Sequence, residues 1–295
     1  MRVFVTGSSS HLARALLPRL CEHAGIEAVT GVDLRPPQFS HPRFSARRCD
    51  IRDARLAEYM ENHNILINMA FIVLRGRRSE AEMFDVNVKG SHAVFHAARR
   101  AGVSRLIHLS SAAVYGSGTH LAEDAALTPL AGFLYGQHKA QLERLLADEF
   151  PECVRLRPHA ILGPHAQPLL RWLLHQPCYL RLPEPQPRLQ CVHEDDVVQA
   201  ILLGLERKAH GAFNLAADDS FSFRDVIRRR HRLSVPLPPA VARSGLTLAW
   251  KLSGWGGEPA WIAGLTKPLL LDCRRARLEL GWHCCHSAAE TLEQV

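Results

Sequence analysis

Short apolar runs alternate with longer amphipathic stretches through the first half of the chain. Strand-like runs occupy residues 3–6, 28–33, 65–70, 105–111 and 153–158. Helical spacing of apolar positions falls between them, at roughly 11–24, 53–62, 81–101 and 132–149. Strands alternating with helices of this length predict an α/β fold, a parallel sheet with helices on both faces. A short additional strand is expected just before Asp50.

After His159 the rhythm loosens and prolines cluster at 164, 168, 177, 183, 185 and 187. A strand-like run at 189–192 leads into a helix after His193, and 211–216 reads as a further strand. Glu194, Asp195 and Asp196 suit a helix N-terminus, where carboxylates meet the positive end of the dipole. The tail around 272–282 reads as a short helix stopped by Gly281. The expected division is a nucleotide-binding unit over 1–160, with return segments at about 189–216, and a smaller lobe over 161–295.

Composition narrows the class without naming it. A chain of 295 residues, 47% hydrophobic and 22% charged, can bury a full core. No run of 18 apolar residues is present, so no membrane span is expected. The opening residues MRVFVTG enter a strand directly and lack the pattern of a secretory signal. Eight cysteines match no zinc spacing and several sit in apolar runs, so free thiols, a reducing cytoplasm and no resident metal are expected. Cys284 and Cys285 beside His283 and His286 diverge too much for a built site. The net charge is +7, and its densest run is Arg228, Arg229, Arg230, His231 and Arg232. Without interleaved aromatics or a reader motif, that run reads as a solvated helix end, and nucleic acid is not an expected partner.

The candidate chemistry centres on Tyr135 and Lys139. Positions i and i+4 share a helix face, so the ammonium can sit beside the phenol. A cation about 4 Å away contributes roughly 4 kcal/mol at an effective dielectric near 20, about three pKa units. The expectation is a phenol brought from about 10 into the range of proton exchange with a substrate hydroxyl. Ser111, in the run LSSAAVYG, supplies a second hydroxyl. In VTGSSSHLA, Gly7, Ser10, His11, Leu12 and Ala13 make a strand–turn–helix junction able to present backbone N–H groups to a phosphate. Ser10 departs from the glycine-rich pattern, and its hydroxyl is expected either to crowd the pyrophosphate or to donate to it. Asp33, about 20 residues further on and followed by Leu34 and Arg35, can hold ribose hydroxyls. The acid favours NAD, while Arg35 leaves NADP open. Asp50 and Ile51 follow the third strand, where adenine would lie.

In this order the motifs resemble the extended short-chain dehydrogenase/reductase superfamily, of the NAD-dependent epimerase/dehydratase type. The resemblance rests on TGSSSHLA, Asp33, CDI, NMAF, NVKG, LSSAAVYG, YGQHK, LRPHAILGP, CVHEDDV, GAFNLA and LELGW, and spans nearly the whole chain. It implies a Rossmann-type doubly wound sheet and an NAD(P)-dependent enzyme. Tyr135 would be the general acid/base, Lys139 would lower its pKa and hold the nicotinamide ribose, and Ser111 would bind the reacting oxygen. Met69, Ala70 and Phe71 would pass the cofactor, and Pro158 would flank the nicotinamide. Asn87 would lie near the active site or tie backbone together. Ala112, His159 and His193 are candidate substrate contacts.

The resemblance further implies a homodimer through the helices at 81–101 and 132–149. The reaction could be dehydrogenation, epimerisation or dehydration of a secondary alcohol or ketone, or a UDP-sugar reaction. A cofactor-sensing regulator is the alternative from another class. Ala160, Leu162 and Cys191 replace residues usual in nucleotide-sugar members. Together with Trp172, Leu173, Leu174, Trp250, Trp255 and Trp261, they make a less polar substrate credible.

Overall fold

The computed structural model describes residues 1–254 and 260–295; Trp255 lies outside the described residues. The strands and helices in the first half are β1 Arg2–Thr6, α1 His11–Glu22, β2 Ala28–Asp33, β3 Phe44–Arg48, α2 Leu56–Tyr59, β4 Ile65–Asn68, α3 Glu80–Phe84, α4 Ser91–Arg100, β5 Arg105–Leu109, β6 Gly118–Leu121, α5 Leu134–Glu149 and β7 Val154–Pro158. The second half adds β8 Ile161–Leu162, α6 Pro168–His175, β9 Cys178–Leu180, β10 Val192–His193, α7 Glu194–Glu206, β11 Gly211–Leu215, α8 Phe223–Arg230, β12 Val235–Leu237, α9 Pro239–Ser253, α10 Ala260–Leu265, β13 Leu269–Leu271 and α11 Ala288–Glu293.

Seven strands form one sheet in the order β11-β7-β5-β4-β1-β2-β3. Every pairing in it is parallel. The order reverses at β1, as in doubly wound sheets that take ligands at the carboxyl ends of their strands. Alternation along the strands feeds two cores. Val3 and Val5 of β1 face the cluster holding Leu16, Leu20, Val197 and Ile201. Phe4 faces the other, with Val94, Phe95, Leu142 and Leu146. Helices α1 and α7 therefore cover one face, and α4 and α5 cover the other.

Several expected elements are shorter or interrupted. The helix read at 53–62 is one turn, α2, because Asp50 and Asp53 draw the backbone into turns of their own: Arg52 N donates to Asp50 and Arg55 N to Asp53. The single helix read at 81–101 is split by a π-helical segment, Asp85–Gly90, between α3 and α4. The tail is likewise a π-helical turn, Ala276–Leu280, closed by Gly281 at φ 70°. Chain 211–215 returns to the sheet as β11, so the far half of the chain completes the first half's sheet. Two further short parallel pairs, β8 with β10 and β6 with β13, pin the later segments near the carboxyl edge.

Candidate active site

Loop geometry at the end of β1 follows from one glycine. Gly7 has φ +74°, and a Cβ there would stand 2.7 Å from the Ala70 nitrogen. Its missing side chain lets the chain after β4 cross directly over the turn. Thr6 Oγ1 holds that crossing: it donates to Asn68 at 2.6 Å and accepts from the Met69 and Ala70 amides at 3.2 Å. Ser10 caps α1, its Oγ accepting from Ala13 N at 3.3 Å. The capped hydroxyl keeps its proton free to donate to a phosphate, which favours the second of the two expectations for this residue. The first-turn amides of His11 and Leu12 have no intrahelical carbonyl within reach. A cavity of about 420 Å³ beside them is lined by His11, Arg14, His165 and Arg171. Burial, then the Arg14 and Arg35 guanidiniums, push the His11 imidazole below its ordinary value. Cationic walls, outward amides and a glycine that permits close approach fit a dinucleotide pyrophosphate.

Asp33 ends β2 with both carboxylate oxygens already accepting, from Ser9 N and Arg35 N at 3.1 Å each. A carboxylate has about four acceptor positions, so two ribose hydroxyls can still be taken. Leu34 is exposed beside it. Asp50 is gripped by Arg52 at 2.7–3.0 Å, and that guanidinium holds its carboxyl below the ordinary range. Ile51 is buried in the second core. Asn87, within the π segment, ties the loop after β4 rather than its own helix: its side chain accepts from Ile72 N at 2.7 Å and donates to Ile72 O at 2.9 Å.

The three residues singled out for chemistry do meet. Ser111 caps the turn Ala112–Val114, its Oγ accepting from Ala113 N at 3.2 Å. That turn lies against α5 at Gly136, where a Cβ would come within 2.9 Å of the Ala113 carbonyl oxygen. Gly136 therefore sets how closely the serine loop approaches the helix, and Ser111 lies close enough to Tyr135 to oppose the rise of its phenol pKa. Lys139, one turn along α5, is buried, and its Nζ donates to Leu109 O at 2.5 Å.

The electrostatics correct the sequence argument. Burial raises the Tyr135 phenol above its ordinary 10, only partly offset by Ser111. Lys139 is not among the causes acting on it; its Nζ lies 3.7 Å from the centroid of the Phe71 ring and 6.0 Å from that of Tyr135. Lys139 is itself brought down to about 7 by desolvation, with Glu143 opposing the shift. The expected cation–phenol contact is replaced by a cation over Phe71.

Aromatic rings that the sequence pattern did not place surround the phenol. Phe71 meets Tyr135 edge-on at 5.7 Å, Phe133 lies 5.8 Å away, and Trp261 of α10 stacks on it at 6.0 Å and 27°. Trp250 of α9 donates to Gly76 O and faces Arg75. Trp172 is partly exposed on α6, while Leu174 belongs to the third core. Beneath α5, Arg157 grips Glu143 at 2.5 Å and donates to the Tyr115 hydroxyl at 2.5 Å, and Ser110 donates to the same carboxylate. No sequence spacing announces this pair, since its partners are joined only when α5 packs on β7.

The proposed substrate histidines have structural partners. His159 accepts from Ala160 N and shares a hydrogen bond with Leu269 O, and burial takes it down to about 4. His193 caps α7 by accepting from Asp195 N, and its other nitrogen meets Gln294. Ala112 and Pro158 are buried at the carboxyl edge.

With this geometry in hand, residues 3–216 match the NAD dependent epimerase/dehydratase family. The chain belongs to that family. Membership makes it an NAD-dependent enzyme of the extended short-chain dehydrogenase type. An uncharacterized protein of Mycobacterium tuberculosis (strain H37Rv) is 28% identical over 301 residues, covering 95% of this chain and 79% of that protein. A 3 beta-hydroxysteroid dehydrogenase/Delta 5-->4-isomerase of M. tuberculosis (strain CDC 1551) is 29% identical over 188 residues, 58% of this chain and 50% of that protein. The fold matches UDP-glucuronic acid 4-epimerase from Bacillus cereus, solved with UDP-glucuronic acid and NAD, at TM-score 0.78 and 18% identity, covering 100% of this chain and 97% of that one. Among the described residues, no helix is long and apolar enough to cross a membrane.

Proposed function

We propose that the chain carries out reversible NAD-dependent hydride transfer on a secondary alcohol or ketone, with Tyr135 as general acid/base. The observation that supports this is the gathering of Ser111, on the turn after β5, with Tyr135 and Lys139 of α5 at the end of β5, where Lys139 donates to Leu109 O. Bound NAD supplies the hydride acceptor. The Gly7 turn, Ser10 and the first amides of α1 would hold its pyrophosphate, and Asp33 its adenosine ribose. In the reducing direction the Tyr135 phenol gives its proton to the carbonyl oxygen as hydride reaches the carbon, and in the reverse direction the resulting phenolate takes the proton of the substrate hydroxyl. Ser111 donates to the reacting oxygen as it gains carbonyl character. Lys139 would hold the nicotinamide ribose. Residues 161–295 supply the substrate side, and a homodimer would form through α3–α4 and α5.

The family admits epimerases and dehydratases as well as simple dehydrogenases. The similar fold solved with UDP-glucuronic acid supports a nucleotide-sugar substrate. The rings of Phe71, Phe133 and Trp261 around the phenol favour a second reading, a less polar alcohol or ketone. Calorimetric titration with NAD⁺, NADH, NADP⁺ and NADPH, followed by UDP-sugars and small ketones, tests both. Saturable dinucleotide binding with turnover of one class upholds the proposal. No dinucleotide binding refutes it, and binding without turnover of any secondary alcohol or ketone refutes it in favour of a non-catalytic cofactor sensor.

A further inference from the structure

Away from the site, α4 and the end of α5 bring three metal-ligating groups together. His92 and His96 lie four residues apart on one face of α4, and Glu149 ends α5. His92 Nε2 stands 2.9 Å from Glu149 Oε1, His96 Nε2 stands 3.1 Å from Oε2, and the two nitrogens are 3.2 Å apart. Two neutral Nε2–H tautomers can each donate to one carboxylate oxygen, but they then hold two donor nitrogens 3.2 Å apart with no bond between them. A cation at the centre attracts all three atoms at once.

We propose that His92, His96 and Glu149 bind a divalent late first-row metal ion, with Zn²⁺ the best match. Tetrahedral zinc with bonds of about 2.0–2.2 Å separates its ligand atoms by about 3.3–3.5 Å, so small side-chain shifts bring the triangle to coordination distance. Two imidazoles and a carboxylate suit zinc better than calcium or magnesium, which prefer all-oxygen shells. Each group is a quarter to two-fifths exposed in the single chain, at 26, 38 and 37%, on helices that the proposed homodimer would also use. His96 also packs its edge against Phe150, and Arg99 binds the Glu149 backbone carbonyl, which steadies the helix end that presents the carboxylate. The ion would clamp α4 to α5.

The other cluster of this kind among the described residues, His193, Asp195 and His286, has its nitrogens committed elsewhere. Its two rings stack at 3.9 Å, His193 spends its nitrogens on Gln294 and the Asp195 amide, and His286 faces Asp196.

Calorimetry with Zn²⁺, paired with Co²⁺ absorption spectroscopy, tests the assignment on the full chain. One saturable site is expected, with visible Co²⁺ bands and no sulfur-to-metal charge-transfer band. The pair His92→Ala and His96→Ala should weaken binding by more than about 100-fold, beyond the loss from removing an outer partner of a ligand. Glu149→Gln keeps shape and hydrogen bonding, so it should fold as the parent does yet bind far more weakly. Cys284→Ser with Cys285→Ser should leave the affinity unchanged. Absence of saturable binding overturns the proposal, as does binding that survives the histidine and glutamate substitutions or disappears with the cysteines.

Discussion

Two buried cations lie within a turn or two of each other around α5, and they live under opposite rules. Arg157 is paired: Glu143 accepts from it at 2.5 Å, and the Tyr115 hydroxyl and Glu123 carbonyl take its other nitrogen. Glu143 and Arg157 side chains are 1% and 5% exposed, so the ion pair is almost fully removed from water. Lys139, at 2% exposure, has only a carbonyl and an aromatic face beside it. One cation is held charged by its neighbours; the other is drawn toward neutrality, to about 7. A fold that can satisfy Arg157 so fully yet leaves Lys139 under-satisfied has kept that position for something other than stability.

The comparison is broken most severely at Glu143. Glu143→Leu leaves Arg157 buried without its counter-ion and should cost about 3–5 kcal/mol in denaturant unfolding. A loss near zero would mean that water reaches the pair.

Lys139→Met should act in the opposite direction on stability. The lysine pKa falls from 10.5 unfolded to about 7 folded, so between these values the unfolded chain binds more protons and stability rises with pH. Its destabilising contribution is complete below pH 7 and vanishes above about 10.5. The methionine variant should therefore unfold with a gain of up to about 5 kcal/mol at pH 6, at about 1.36 kcal/mol per pKa unit. That gain should shrink steadily toward pH 10, while turnover is lost. A pH-independent difference would show that Lys139 is solvated in the native protein.

Gly136→Ala sharpens the contrast from the serine side. The added methyl meets the Ala113 carbonyl oxygen at 2.9 Å, so the turn bearing Ser111 must shift. Overpacking of this sort costs about 1–3 kcal/mol, and turnover should fall by more than the stability loss explains. A variant as active and stable as the parent would show that the close approach is dispensable.

Legibility followed the range of the interactions. The strands of the first half were readable because apolar runs between helical patterns are local signals. The glycine turn, Asp33, Ser111, Tyr135 and Lys139 were readable because each motif is contiguous. Gly136 stood inside YGQHK and could have been read as a close approach. The π segment around Asn87 was hidden, since its bonds run to Ile72 in another loop. So were the Glu143–Arg157 pair and the rings of Phe133 and Trp261, which meet only after folding. The surroundings of Tyr135 were hidden for a related reason. Helical spacing placed Lys139 on the correct face, but the ring of Phe71, distant in sequence, took the ammonium's free side.

Tyr135→Phe tests the central chemistry most directly, with turnover on an accepted substrate read against NAD affinity measured by calorimetry. The substitution removes one oxygen and keeps the ring that packs with Phe71 and Trp261. Turnover should fall by about 10²–10⁴-fold while dinucleotide affinity changes little, the range for loss of a general acid/base. Undiminished turnover at unchanged affinity would contradict the assignment of the Tyr135 hydroxyl as the group that moves the proton.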